Sequence, residues 1–350
     1  MKTFAYQSIR EHACSDEVCA LIAQLHEDKG KFETLRTVHP DVFESLQTQA
    51  FFDNVDSSTR VEGIYLDQKR LSELLETDAE PASDEERQVI GYADALRAIE
   101  ENPAMLFSTS MIVEFHDKMY GSPTGGKRRK SSYRKKDYAD IVTPDGVQHV
   151  KVSPIAAFET PLYLGAACDS LAGCLDMSIC SELLYIPYFT IDFLCIRPFD
   201  LGCGRLTRLV SHLLLLRSGV EVTCYMSLDR IIEESGMEYY NALNACVLGW
   251  DENKNDYEPF VLYWLSKLHE CYEKLFARVN ECSRTRNLSK PERIEAYFDT
   301  HEETTTKSQI KEAFPDISIS TIENALRDLV NRGIIQKIGS GKLTAYKRVR

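Results

Sequence analysis

One stretch constrains the fold of this chain more than any other: Cys195-Ile196-Arg197-Pro198-Phe199-Asp200-Leu201-Gly202-Cys203-Gly204-Arg205-Leu206-Thr207-Arg208. Two glycines close a turn, and an apolar helix, Leu206 to Leu216, follows at once. Glycines ahead of a helix let the backbone approach a ligand closely and aim unpaired N–H groups at an anion. Arg205 and Arg208, three residues apart, add two fixed positive charges on nearly one helix face. This is the anatomy of a phosphate site.

The stretch resembles the motif of the Fic family, H-P-F-x-[D/E]-G-N-G-R-x-x-R. The resemblance continues through Ser58 to Glu62-Gly63, through the segment Pro154 to Pro161, and through Gly249-Trp250 near Asn255-Asp256-Tyr257. Coverage of that order implies the bacterial type of Fic protein with an N-terminal inhibitory motif and a C-terminal winged helix. The fold it implies is mainly α, a helical core carrying a β-hairpin flap and a winged-helix domain. The family's chemistry moves AMP from ATP onto a protein hydroxyl, so ATP is the implied cofactor and Phe199, Gly202, Cys203, Gly204, Arg205 and Arg208 the implied nucleotide contacts. Three positions depart from the pattern. Arg197 occupies the place of the catalytic His, Leu201 that of the metal-binding acid, and Cys203 that of the Asn. A guanidinium stays protonated at physiological pH and cannot act as a base. Leu201 removes the carboxylate that would hold Mg²⁺, so no metal-binding residue is expected.

In the same family an [S/T]-x-x-x-E-[G/N] segment restrains the enzyme through a Glu that pairs with the second motif arginine. Ser58, Glu62 and Gly63 match it, with Arg208 as the implied partner, and a bidentate Arg–carboxylate pair is chemically sound. Read without the resemblance, the same residues are a helix-capping Ser and a solvated Glu. Cys203, at a helix N-terminus near Arg197 and Arg205, is either an activated thiolate or a small neutral filler.

With 350 residues the chain should hold about two domains. Boundaries are expected as 1–110, a helical region with the inhibitory motif, 111–284, the Fic domain, and 285–350, the winged helix. Helices are expected over Glu85–Glu101, Ile112–Tyr120, Thr160–Ala172, Glu182–Cys195, Ser227–Trp250 and Pro259–Arg284, with a short capped segment at 56–64. A hairpin is expected at 141–152, turning on Pro144-Asp145-Gly146. The tail reads as helices Pro291–Thr300, Lys307–Phe314 and Ser320–Asn331, then strands at 334–338 and 343–347.

Eleven cysteines, an odd number without a Cys-x-x-Cys pair, read as free thiols in a reducing cytosol. No apolar run reaches the ~20 residues of a membrane helix, and the N-terminus has no leader pattern; the expected location is cytoplasmic. A net charge of −13 opposes wholesale nucleic-acid binding. The tail, residues 290–350, holds 11 basic and 9 acidic residues, so it carries +2 against −15 for the rest. Its Lys337, Lys342, Lys347, Arg348 and Arg350 form the one candidate DNA surface, with protein docking or dimerisation as the alternative. Seven basic residues crowd 127–136 beside the hairpin, where the family's flap aligns a target protein; a solvated loop is the plainer reading. His116 and His212 read as structural residues without metal-ligand partners.

Two functions stand. One is a Fic-fold AMP-transferase-like protein with a degenerate site that binds nucleotide or phosphate. The other is a winged-helix DNA-binding regulator whose core senses a ligand or holds a homodimer.

Overall fold

The computed structural model describes residues 2–9, 15–77, 79–121, 132–137, 154–177, 182–284, 288–301, 303–314, 316–339, 341 and 344–349. The hairpin expected at 141–152 lies outside the described residues, as do Lys127 to Lys130. The chain divides into two compact units, Met1–Lys29 with Ala50–Cys271, and Gly30–Gln49 with Tyr272–Arg350.

The first unit is helical. Ser83 caps the helix Asp84–Glu101 through Glu86 N–H, and Ser108 caps Thr109–Tyr120 through Met111 N–H. Val89, Tyr92, Ala93, Leu96 and Ile99, at helical spacing, bury one face of the first of these. That helix packs against Thr109–Tyr120 and against the motif helix, Cys203–Arg217. Helix Glu182–Ile196 also packs on the motif helix and on Thr160–Met177. The motif helix is therefore enclosed: Leu206, Leu209, Leu213 and Leu215 have no solvent exposure. An enclosed helix holds its N-terminal loop in a fixed place.

Two expectations change here. The helix expected over Ser227–Trp250 is broken at Gly236, whose φ of +54° only a glycine adopts cheaply, into Leu228–Ser235 and Met237–Val247. The short capped segment at 56–64 does not exist as such. Helix Pro40–Val61 runs straight through Ser57, Ser58 and Thr59. It ends at Gly63, φ +80°, whose N–H bonds Arg60 C=O while Ile64 N–H bonds Thr59 C=O. That is a Schellman stop with glycine in the left-handed position. Ser58 is thus an interior residue of a long helix, its hydroxyl available to something other than the helix end.

The second unit has a core of its own. Phe32 packs edge-on to Phe43 and Tyr272, and Tyr272 meets Phe276. This ring cluster joins the end of helix Asp16–Val38 and the start of helix Pro40–Val61 to the second half of helix Glu258–Arg284, so this unit takes in residues before 285. Helices Lys290–Thr300, Lys307–Ala313 and Ile319–Asn331 enclose Ile294, Phe298, Ile310, Phe314, Ile322, Leu326 and Leu329. Strands β2, Ile335–Ile338, and β3, Ala345–Arg348, pair antiparallel with Ile335 opposite Arg348. A two-residue strand β1, Thr305–Thr306, adds to the other side of β3, giving the order β1-β3-β2. Too short to show a period, β1 escapes sequence reading. Lys337 and Lys347 are exposed on this sheet, whereas Arg348 pairs with Asp299. The outer face of Ile319–Asn331 mixes Glu323 and Asp328 with Arg327, and Glu323 is held by Lys307 at 2.7 Å.

Candidate anion site

Helix Glu182–Ile196 ends at Arg197, which has a φ of +43°, unusual for a residue with a side chain. Its N–H still bonds Phe193 C=O at 2.8 Å, and its own carbonyl accepts from Arg134 Nε at 2.7 Å. Arg134 is a buried clamp: its N–H donates to Pro198 C=O, and its guanidinium reaches the carbonyls of Lys136 and Ile155. This arginine, read in the sequence as part of a solvated basic cluster, holds the motif loop in place. Lys135 and Lys136 beside it are exposed, as that reading expects.

The loop then divides into a buried side and an exposed one. Phe199 is buried and stacks on His116, with ring centres 3.9 Å apart and planes 14° apart; Tyr133 lies beyond it at 5.8 Å. His116 stacks in turn on Tyr120 and bonds Leu201 C=O through Nε2 at 3.2 Å. Burial pushes the imidazole pKa down to about 4, and the hydrogen bond to Leu201 opposes this only in part. His116 is therefore neutral, and Nε2 carries the proton given to Leu201. Asp200 and Leu201 face outward, Leu201 with 61% of its surface exposed.

Gly202 caps the motif helix at φ +79°, with no side chain bonding the helix end. The first N–H groups of such a helix have no carbonyl of their own to reach. A Cβ at Gly202 would lie 2.6 Å from the Tyr120 ring, and one at Gly204 would lie 2.2 Å from Glu62 Oε1. Both glycines are thus fixed by neighbours that press on the loop. Cys203 is buried, and its thiol donates to Phe199 C=O at 3.4 Å. Burial raises its pKa to about 11, outweighing Arg197. The activated-thiolate reading is corrected: proximity to a helix N-terminus and two arginines does not compensate a thiol withdrawn from water. The neutral filler is what the structure contains.

The arginines do not share one environment. Arg205 donates through Nη2 to Gln88 Oε1 at 2.7 Å and to the Tyr120 hydroxyl, with its guanidinium over the Tyr120 ring. Arg208 donates through Nε to Ser58 Oγ at 2.6 Å, and through Nη2 to Ser58 C=O and to Glu62 Oε1, both at 2.9 Å. Burial alone would lower the Arg208 pKa; Glu62 and Asp229 reverse that and hold it above its ordinary value. The Ser58–Glu62–Arg208 grouping expected from the sequence is present as geometry, with Gly63 stopping the helix just beyond Glu62. Three guanidinium nitrogens in this cluster are buried and have no hydrogen-bond partner: Arg205 Nε and Nη1, and Arg208 Nη1. Sequence reasoning missed Tyr120, Gln88, His116 and Arg134. All are 60 or more residues away from the motif side, and no local pattern marks them.

No family model and no curated protein sequence matches the chain. Its structure is similar to that of a Fic family protein from Desulfovibrio desulfuricans G20, at a TM-score of 0.60 and 16% identity, covering 97% of each chain. It is similar to a Fic domain containing signaling protein from Bacteroides thetaiotaomicron VPI-5482, at a TM-score of 0.60 and 18% identity over 73% of this chain and 97% of that one. Fic-1 from C. elegans matches at 0.55 and 20% identity, over 75% of this chain and 73% of that one. The chain has the Fic fold.

Proposed function

We propose that the loop 197–208 is a binding site for a phosphate-bearing nucleotide, ATP in the first instance, kept closed by the chain's own Glu62, and that AMP transfer does not operate from it. The observation that carries this reading is the set of unpartnered buried donors. Buried groups of this kind are normally satisfied, and each one left unmade costs about 1–3 kcal/mol. Arg205 Nε and Nη1 and Arg208 Nη1, beside the free N–H groups of a helix N-terminus, are a donor set that oxyanions satisfy and that neutral or cationic ligands do not.

The residues fit phosphate and do not fit a divalent metal. Leu201 offers no ligand atom where the family's carboxylate would hold Mg²⁺. When bound, ATP would supply the activated phosphoryl group; Gly202 and Gly204 would admit its phosphates to the backbone, and Arg205 and Arg208 would hold them. At position 197 the residue present is not a proton acceptor. General bases contribute about 10²–10⁴-fold in rate, and at position 197 a guanidinium can only donate.

Calorimetric titration with ATP tests this. The expected result is one site whose affinity is the same with and without Mg²⁺, together with background labelling from α-labelled ATP. Robust Mg²⁺-dependent AMP transfer by the natural sequence would overturn it.

A further inference from the structure

On the motif helix, one turn past Arg208, His212 is buried with 7% of its surface exposed. Its Nε2 has no hydrogen-bond partner. Glu100, in the last turn of helix Asp84–Glu101, places Oε1 3.5 Å from that nitrogen. Cys224, at the end of the short helical turn Val222–Cys224, completes the group, and the three ligand atoms all lie within 4.8 Å of one another. The sequence reading gave His212 no metal-ligand partner. The fold supplies two, from positions 112 residues before it and 12 after.

We propose that Glu100, His212 and Cys224 form a Zn²⁺ site. The donor set is one carboxylate oxygen, one imidazole nitrogen and one thiolate sulfur, which suits a borderline-soft ion and excludes Mg²⁺ and Ca²⁺, whose shells are built from oxygen. Separations up to 4.8 Å are somewhat wider than a bound tetrahedral ion needs, so a small inward movement of the side chains accompanies binding. Cys224 loses its thiol proton to solvent as the Zn–S bond forms, and His212 gives its Nε2 lone pair. Glu100 is partly accessible, with 17% side-chain exposure, and Cys224 is half-buried, so an ion can reach the site from outside.

Three protein ligands leave a fourth position for water. Separately, a cavity of ≈ 30 Å³ is lined by His212 with Thr223, Ser211, Asp229 and Arg208, and not by Glu100 or Cys224. That is room for a water molecule, and the Thr223 hydroxyl is a second buried group there without a partner. Zinc would fasten the helix ending at Glu100, the motif helix and the 222–224 turn to one another, one turn from the arginine that grips Glu62.

The test uses the full chain stripped with EDTA and titrated with Zn²⁺ alone against a chromogenic chelator, then with Co²⁺ as spectroscopic probe. The expected result is one equivalent bound, with a thiolate-to-cobalt charge-transfer band in the near ultraviolet. Cys224→Ser should abolish the band and weaken Zn²⁺ binding by at least about 100-fold, since removing even an outer-shell partner costs about 10–100-fold. Glu100→Gln should weaken binding while keeping the band. Circular dichroism confirms that both variants are folded. A band and affinity unchanged in Cys224→Ser would place the metal elsewhere and overturn the proposal, as would the absence of stoichiometric binding by the natural sequence.

Discussion

Two buried polar clusters lie at the two ends of one short stretch of chain, and they are built on opposite plans. Asp192, near the end of helix Glu182–Ile196, accepts from the Tyr6 hydroxyl at 2.6 Å, Trp250 Nε1 at 2.7 Å and the Tyr257 hydroxyl at 2.5 Å. Burial raises its pKa, and Lys2 and these three donors oppose the shift. Every strong donor aimed at it is used. Thirteen residues on, Arg205 begins a cluster in which two of its own nitrogens and one of Arg208 are buried and unused. A saturated network ties distant segments, here 6, 192, 250 and 257, into one structure. An unsaturated one stores unmet hydrogen-bonding capacity that a ligand can satisfy. The difference separates the group that holds the fold from the group proposed to bind.

The largest effect expected from this contrast is on stability. Asp192→Ala strands three donors at once and should destabilise the protein by about 3–5 kcal/mol in urea unfolding. A loss under about 1 kcal/mol would mean that the Asp192 cluster is no more committed to the fold than the arginines are, and the comparison would fail.

His116 sharpens the comparison through pH. Folded, its pKa is about 4; unfolded, about 6.5. Between those values the unfolded chain binds a proton that the folded chain refuses, so stability falls as pH falls through that window and levels off below it. At about 1.4 kcal/mol per pKa unit the full loss is about 3 kcal/mol. His116→Phe keeps the stack on Phe199 and Tyr120 and should flatten this part of the pH–stability curve. An unaltered slope would show that His116 is protonated in the folded protein, and that the wall behind the loop is wetter than described.

How much of this was legible in the sequence follows from the range of the forces involved. The glycine-bracketed turn, the arginines at 205 and 208 and the Ser58–Glu62–Gly63 segment are local patterns, and the geometry brings them together as read. Gln88, Tyr120 and Arg134 act at long range through single contacts, and nothing near them in sequence marks that use. Ser58 sits in a Ser-Ser-Thr run that reads as a helix cap; only the continuation of the helix from Pro40 to Val61 shows that its hydroxyl serves Arg208. Cys203 shows the same limit in energetic form. Neighbouring charges are visible in a sequence and depth is not, and for this thiol depth decides.

If Glu62 occupies a place meant for phosphate, Glu62→Gly exposes it most directly. A charge-assisted bond of this kind is worth about 1.5–3 kcal/mol, so freeing Arg208 should tighten ATP binding by about tenfold or more in calorimetric titration at fixed ionic strength. That tightening should come with enthalpy gained as the stranded guanidinium donors find phosphate oxygens. Equal ATP affinity in the natural protein and a folded Glu62→Gly variant would contradict it, and would leave the Glu62–Arg208 pair as a structural salt bridge with no hold on the site.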